Sequence, residues 1–471
     1  MSENTERNYP PRRRKKRQPN YLPLIVILVA VLIAAVFIAV LLHTGGGDPN
    51  ATTAPQTQST QPSTEATEPT TEPTTEPTIP PVTITGTATI GATGDMLMHM
   101  PCIEPALQSD GSYDFGTYFA NFSGYVQAVD YAVANLETTL AGSDYRHGSG
   151  KIGYSGYPQF NCPDDIVPSL RSAGFDMLLT ANNHTYDTLT TGFFRTQEII
   201  AQYGLDHIGT KPDAETDSYL IKNINGISVG MINYTYETNS DPDKVDLNGG
   251  ADLKENEKNL INVFLKDDVA GFSKDLEENI ADMKADGAEA IVLYIHWGEE
   301  YQVKENSQQR AMAQAACDLG VDVIVGGHPH VIQPMDLLTS TTDDSHKTVC
   351  LYSTGNALSN QRIEHMNLKT GHTEDGIFFS FTFVKYSDGT VRVENVEVLP
   401  LWINLYKSSA TGEKVYDILP LDKAVTDWKT EFALTDSTLS QAEKSYDRTM
   451  KIVGTGLAKI EEYLSGLPVI E

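Results

Sequence analysis

Five short strings in this chain carry side chains that can bind a metal ion or move a proton. They are Gly94-Asp95, Asn135-Leu136-Glu137, Asn182-Asn183-His184, His296-Trp297-Gly298 and Gly327-His328-Pro329-His330. A lone histidine in a loop is more often a hydrogen-bonded structural side chain than a ligand. Here four of the 11 histidines, His184, His296, His328 and His330, fall in the same set of strings. Together with Asp95, Glu137 and Asn183 they form a mixed nitrogen and oxygen donor set suited to Mn, Zn or Fe. The absence of a cysteine from the set argues against a structural zinc knot.

Each string closes an apolar run of strand length. The pattern predicts strands over 84–93, 130–136, 176–181, 227–233, 290–296, 321–326 and 347–354, interleaved with helices near 164–173, 190–203, 273–286 and 307–319. Two more strands, 376–386 and 390–399, flank Ser387-Asp388-Gly389, a hairpin signal. Beyond Leu419 the strand pattern stops, and 421–432 and 437–465 read as helical. The expected division is a mixed α/β domain over 82–402 with a C-terminal helical extension over 403–471. Open α/β sheets bind ligands beyond the carboxyl ends of their strands, so five such endings can converge on one crevice.

Those strings, in that order, resemble the bacterial CapA/PgsA family of poly-γ-glutamate capsule synthesis proteins, whose fold is similar to that of calcineurin-like metallophosphatases. The resemblance runs from about Ala88 to Asn360 and also draws on Ala173-Gly174-Phe175-Asp176, Asp187, Glu299-Glu300-Tyr301 and Val331-Ile332-Gln333. It implies a four-layer α/β sandwich with mixed sheets. It further implies that Asp95 ligates one metal and Glu137 bridges two, with Asn183, His296 and His328 completing the second site and His330 returning to the first. His184 then resembles the histidine that protonates a leaving oxygen, and Asp187 could hold its other ring nitrogen; an acidic residue at a helix N-terminus is the alternative account of Asp187. Metallophosphatases begin with Asp-x-His and end their second motif in Asp, whereas here Met96-Leu97 follows Asp95 and Glu137 ends the second string. Both departures fall on the first metal site, so one bound ion fits as well as two.

The formal charge is −29 over 471 residues, yet residues 1–21 carry seven basic and two acidic groups, a local +5 that leaves −34 for the rest. So acidic a body repels a polyanion, which excludes nucleic-acid binding through a basic surface. Residues 22–42 hold no charged side chain and are long enough to cross a bilayer, so a single transmembrane helix is expected there, with the basic end in the cytoplasm and everything after it outside. Residues 43–81, with repeats of Glu-Pro-Thr-Thr, have almost no apolar surface to bury and read as a disordered tether reaching as far as about 100 Å.

Three functions are compatible with these features. The first is a membrane-anchored surface protein serving the biosynthesis, export or anchoring of an anionic polymer such as poly-γ-glutamate, with a phosphatase-like metal site. The second is a surface phosphoesterase acting on nucleotides or on wall- or lipid-linked phosphates. The third is a non-catalytic assembly factor of a polymer synthase complex. No G-x-x-x-x-G-K-[ST] loop is present to cradle nucleotide phosphates. His99 reads as a surface loop histidine with spare ligand capacity, Trp297 and Tyr301 as core aromatics, and Cys317 and Cys350 as buried thiols. Cys102 and Cys162 could pair in an oxidising exterior.

Overall fold

The computed structural model describes residues 82–468 apart from 239–243, 249–250 and 410–411, so the basic segment, the expected transmembrane helix and the tether lie outside the described residues. Among the described residues no helix is long and apolar enough to cross a membrane.

Two sheets carry the fold, with strands numbered in chain order. In the first, β1 (Ile84–Met96) runs parallel to β2 (Tyr131–Leu136), which continues to β3 (Met177–Leu179) and β4 (Asp206–Ile208). On its other side β1 pairs antiparallel with β15 (Asp375–Tyr386), followed by β16 (Val391–Lys407) and β17 (Lys414–Pro420), while β14 (Asn356–Leu358) joins the end of β1. The second sheet orders β12 (Met335–Thr339), β13 (Lys347–Leu351), β11 (Val323–Gly327), β10 (Ala290–His296), β6 (Ile227–Glu237) and β5 (Tyr219–Ile224), with β9 (Val263–Leu265) beside the end of β6. A small ribbon pairs β7 (Asp246–Leu247) with β8 (Ala251–Asp252).

Burial explains why the strands read as they do. β2 and β10 are buried along their whole length, which is why they are continuously apolar rather than alternating. Between the sheets, Ala88, Ile90, Ala92 and Val133 pack with Val229, Met231, Val292 and Tyr294. Helices cover the outer faces. Ile166, Val167 and Leu170 of α1 (Ile166–Ala173) lie in the core of the first sheet, which α2 (Leu189–Gln202) joins through Ile200. Phe272, Leu276 and Ile280 of α3 (Val269–Ala285) and Met312, Ala313 and Ala316 of α4 (Ser307–Asp318) cover the second. Helix α5 (Asp436–Ser465), opened by a Thr435/Thr438 capping box, sends Val453 and Ile460 into the inter-sheet core.

Apart from short strands that were not expected, three departures from the expected elements have a clear local cause. The strand expected over 390–399 continues to Lys407, because Trp402 and Ile403 are both buried and β17 pairs along them, so the boundary expected at 402/403 falls inside β16. The helix expected over 421–432 is one turn, Trp428–Glu431, since the Asp422 carboxylate bonds the Ala424 amide and turns the chain. The hairpin of β5 and β6 was not anticipated, although Asn225-Gly226, both at positive φ, is a strong two-residue turn signal.

Candidate metal centre

The centre begins with a kink. The pairing of β1 with β2 slips between Thr93 and Asp95, so Gly94 is bulged and Asp95 is re-aimed. A Cβ on Gly94 would stand 1.8 Å from the Gly355 carbonyl oxygen, so a glycine is required where β14 approaches. From the second sheet, His296 ends β10 in register with Gly327 of β11, and His328 and His330 follow with φ of 93° and 55°. Positive φ at two non-glycine residues is the kind of local strain that folds hold at functional sites.

Seven of the eight expected site residues have side chains linked by the contacts that follow, and His328 joins through its ring and backbone. His330 Nδ1 is 3.2 Å from Asp95 Oδ2, and the His328 amide donates to the same oxygen at 3.3 Å. His296 Nε2 lies 2.8 Å from Asn183 Oδ1 and 3.4 Å from Glu137 Oε1, while His330 Nε2 is 3.9 Å from that Glu137 oxygen. The rings of His296 and His328 have centroids 4.8 Å apart. Beside this group, His184 Nδ1 is 2.8 Å from Asp187 Oδ2, and the Phe160 amide donates to the same carboxylate at 2.6 Å.

Two buried donor groups emerge, Glu137 with His296 and His328, and Asp95 with Glu137 and His330; in each the ligand atoms lie within 4.8 Å of one another. Glu137 belongs to both. Its carboxylate is fully buried and neither oxygen makes a hydrogen bond; His328 Nδ1 is likewise buried without a partner. Orphaned buried acceptors are costly unless something with positive charge stands between them. These residues therefore fit a divalent ion.

The electrostatics agree with that donor set. Burial alone would push the Asp95 carboxyl up, but the hydrogen bond from His330 and the nearby His296 hold it below its ordinary value. Burial pulls His330 down, yet Glu137 and Asp95 raise it to about 9. His328 is pushed well below the usual imidazole range by burial and by His296 and His330, so it is a neutral donor. For His184, burial is outweighed by Asp187, and the ring holds a proton above its ordinary value.

A family model described as Bacterial capsule synthesis protein PGA_cap matches residues 89–361. The chain belongs to this family. It is 28% identical over 254 residues to the Capsule biosynthesis protein CapA of Bacillus anthracis, covering 52% of this chain and 54% of that protein. It is 29% identical over 241 residues to the PGA biosynthesis protein CapA of Bacillus subtilis strain 168, covering 50% of this chain and 54% of that protein. The chain thus spans about half the length of the curated relatives it matches. Every residue of the two donor groups, and His184 with Asp187, lies inside the PGA_cap span.

Around the centre the PGA_cap chain places residues that the sequence reading did not single out. Asn135 donates to Asp95 Oδ1 at 2.8 Å and accepts from Asn182 at 3.1 Å, and Asn182 also accepts the His184 amide. Both sat inside the strings already noted, but an amide has no ionisable signature. Tyr236, at the end of β6, lies with its ring parallel to His296 at 6.5 Å and 4.7 Å from His328. Asn248 reaches His184 Nδ1 at 3.2 Å from a loop with no recognisable spacing. Asn356 accepts from His330 Nδ1 at 3.2 Å. His99, expected on the surface, is half-buried with its ring edge-on to Phe160, and burial draws it down to about 4. Trp297 is core, donating to the Tyr352 carbonyl at 2.8 Å. Cys102 and Cys162 are buried free thiols in one apolar cluster rather than a disulfide, and Cys317 and Cys350 are buried as expected.

Proposed function

We propose that this chain is a membrane-anchored, extracytoplasmic PGA_cap protein serving the biosynthesis, export or anchoring of an anionic surface polymer such as poly-γ-glutamate, and that its crevice is a metal-dependent, phosphatase-like hydrolytic site on a metallophosphatase-like sandwich. The observation that carries the site is the pair of buried donor groups sharing Glu137, whose oxygens have no partner. The polymer pathway rests on family membership and on relatives named for capsule and PGA biosynthesis. The anchor rests on the uncharged run 22–42 behind a basic segment.

In this reading Asp95, Glu137 and His330 would hold one ion, and Glu137, Asn183, His296 and His328 would hold a second where two bind. A divalent ion supplies Lewis acidity and lowers the pKa of a bound water. The protein's own part is positioning and proton transfer. Asp187 accepts from His184 Nδ1 and leaves Nε2 as the nitrogen that delivers a proton to the departing oxygen. In so acidic a chain, an anionic substrate depends on the bound cation to overcome the surrounding field.

The test is complementation of cells lacking this gene, with surface polymer yield and phosphoesterase rate of the purified full-length protein measured together. His328→Ala should lose both. Normal polymer yield with His328→Ala would detach the centre from polymer formation and leave an assembly role. Protease added to wall-stripped cells should remove everything beyond residue 43, and protection of the large domain would overturn the topology.

A further inference from the structure

We infer that helix α5, which lies outside the residues matched by the family model, braces the metal centre: Arg448 and Ser445 hold the segment Gly371–Asp375, and that segment, through Asn356, fixes the ring of His330. The inference rests on the metal reading above.

The chain of contacts starts at His330. Its Nδ1 faces two acceptors, Asp95 Oδ2 and Asn356 Oδ1, each at 3.2 Å. Which end of the Asn356 amide points at the ring is decided elsewhere. Asn356 Nδ2 faces the Thr373 carbonyl at 2.9 Å, Gln361 Oε1 at 3.1 Å and the His330 carbonyl at 3.3 Å, all acceptors, so the NH2 belongs there and the oxygen must face His330. In the neutral ring the proton of His330 is thereby kept on Nδ1, which leaves Nε2, 3.9 Å from Glu137, as the nitrogen able to serve as a ligand.

Of these three acceptors the Thr373 carbonyl is the nearest to Asn356, and Thr373 sits in a short segment gripped from both ends by α5. At one end Arg448 donates from Nε to Asp375 Oδ2 at 2.8 Å and from Nη2 to Asp375 Oδ1 at 2.6 Å, where Ser445 adds a bond of 2.6 Å. At the other, Arg448 Nη2 reaches the Gly371 carbonyl at 3.3 Å. Asp375 is 1% exposed while the Arg448 side chain is 24% exposed, so removing the arginine would leave a buried carboxylate without its cation, which is costly. Next to it, Gly376 bridges to Gly355, whose carbonyl receives the Asp95 amide at 3.0 Å. The brace therefore reaches two of the three donors of the Asp95, Glu137 and His330 group, namely Asp95 and His330.

The test titrates Mn2+ into the full-length protein by calorimetry, alongside thermal melting without metal. Arg448→Met and Asn356→Ala should each weaken Mn2+ binding by about tenfold or more, the scale of changes behind a ligand. Because both act on one path, the double variant should bind no worse than the weaker single variant. Lys459→Met, which cuts the 2.6 Å bond from the far end of the same helix to Asp336, should leave affinity unchanged. If Arg448→Met does not fold, Ser445→Ala carries the same comparison. Affinity within twofold of wild type for Arg448→Met, fully additive losses, or an equal loss with Lys459→Met would overturn the brace. Failure of the wild-type protein to bind Mn2+, Zn2+ or Fe2+ would instead overturn the metal reading on which it stands.

Discussion

Asn183 Oδ1 lies 2.8 Å from His296 Nε2, although the two residues are 113 positions apart, Asn183 following β3 of the first sheet and His296 ending β10 of the second. One hydrogen bond satisfies the pair only while the proton sits on Nε2. With that proton gone, the two atoms become a ready pair of donors aimed at the same place, next to the unpartnered oxygens of Glu137.

That relationship makes the metal dependence directly testable. His296→Ala and His328→Ala should each release metal from the purified protein, with affinity falling by more than the 10–100-fold typical of residues behind the ligands. Elemental analysis after dialysis is the measurement. Full stoichiometry in both variants would mean that the constellation is not a metal site.

His184 separates chemistry from metal binding. Its Nδ1 contacts Asp187 and Asn248 and no residue of the two donor groups, so His184→Ala should retain metal and the fold, at a melting temperature lowered by the loss of a buried partner of Asp187. Turnover should still fall by about 10²–10⁴, the range for positioned proton transfer. An unchanged rate would take His184 out of the mechanism.

Gly94 tests the bulge. Alanine there places a methyl 1.8 Å from the Gly355 oxygen, which is backbone and cannot swing aside. Destabilisation at or above the ~1–3 kcal/mol of overpacked cores is expected, with loss of metal affinity as Asp95 is displaced. Thermal melting with and without metal reads both, and a melt equal to wild type would show that β14 yields freely.

Asp417 gives a pH signature away from the centre. It is nearly buried in β17, bonded by Asn121 at 3.0 and 3.1 Å, and burial raises its carboxyl to about 6. Because its folded pKa exceeds the unfolded value, its contribution is fully present below about 3.8 and is lost as pH rises through about 6. A displacement of about two units corresponds to roughly 3 kcal/mol. Asp417→Asn should flatten the fall in stability between pH 4 and 7 seen by denaturant melts, and an identical pH slope in the variant would contradict the burial account.

Much of the fold was legible because burial writes itself into periodicity. The wholly buried β2 and β10 are unbroken apolar runs, and the expected helix 437–465 is α5 almost to the residue. Short strands such as β4 and β9 were invisible, since three residues hold too little pattern to be read apart from loop. β16 was read short because its later residues are buried by a neighbour, β17, that itself left no clear signal.

For the centre, the sequence by itself determined which donors exist. Asp95, Glu137, Asn183, His184, His296, His328 and His330 stand where apolar runs stop, and strand order carries such endings to one edge of the sheets. Only the tertiary structure decided how they combine: that Glu137 is common to two donor groups, that Asn356 shares the Nδ1 side of His330 with Asp95, and that a helix beyond residue 435 grips the segment behind it. The physical reason is that donor chemistry is a property of single residues, whereas sharing, orientation and bracing depend on distances set by packing between chain segments more than 200 residues apart, such as His330 and Asp95.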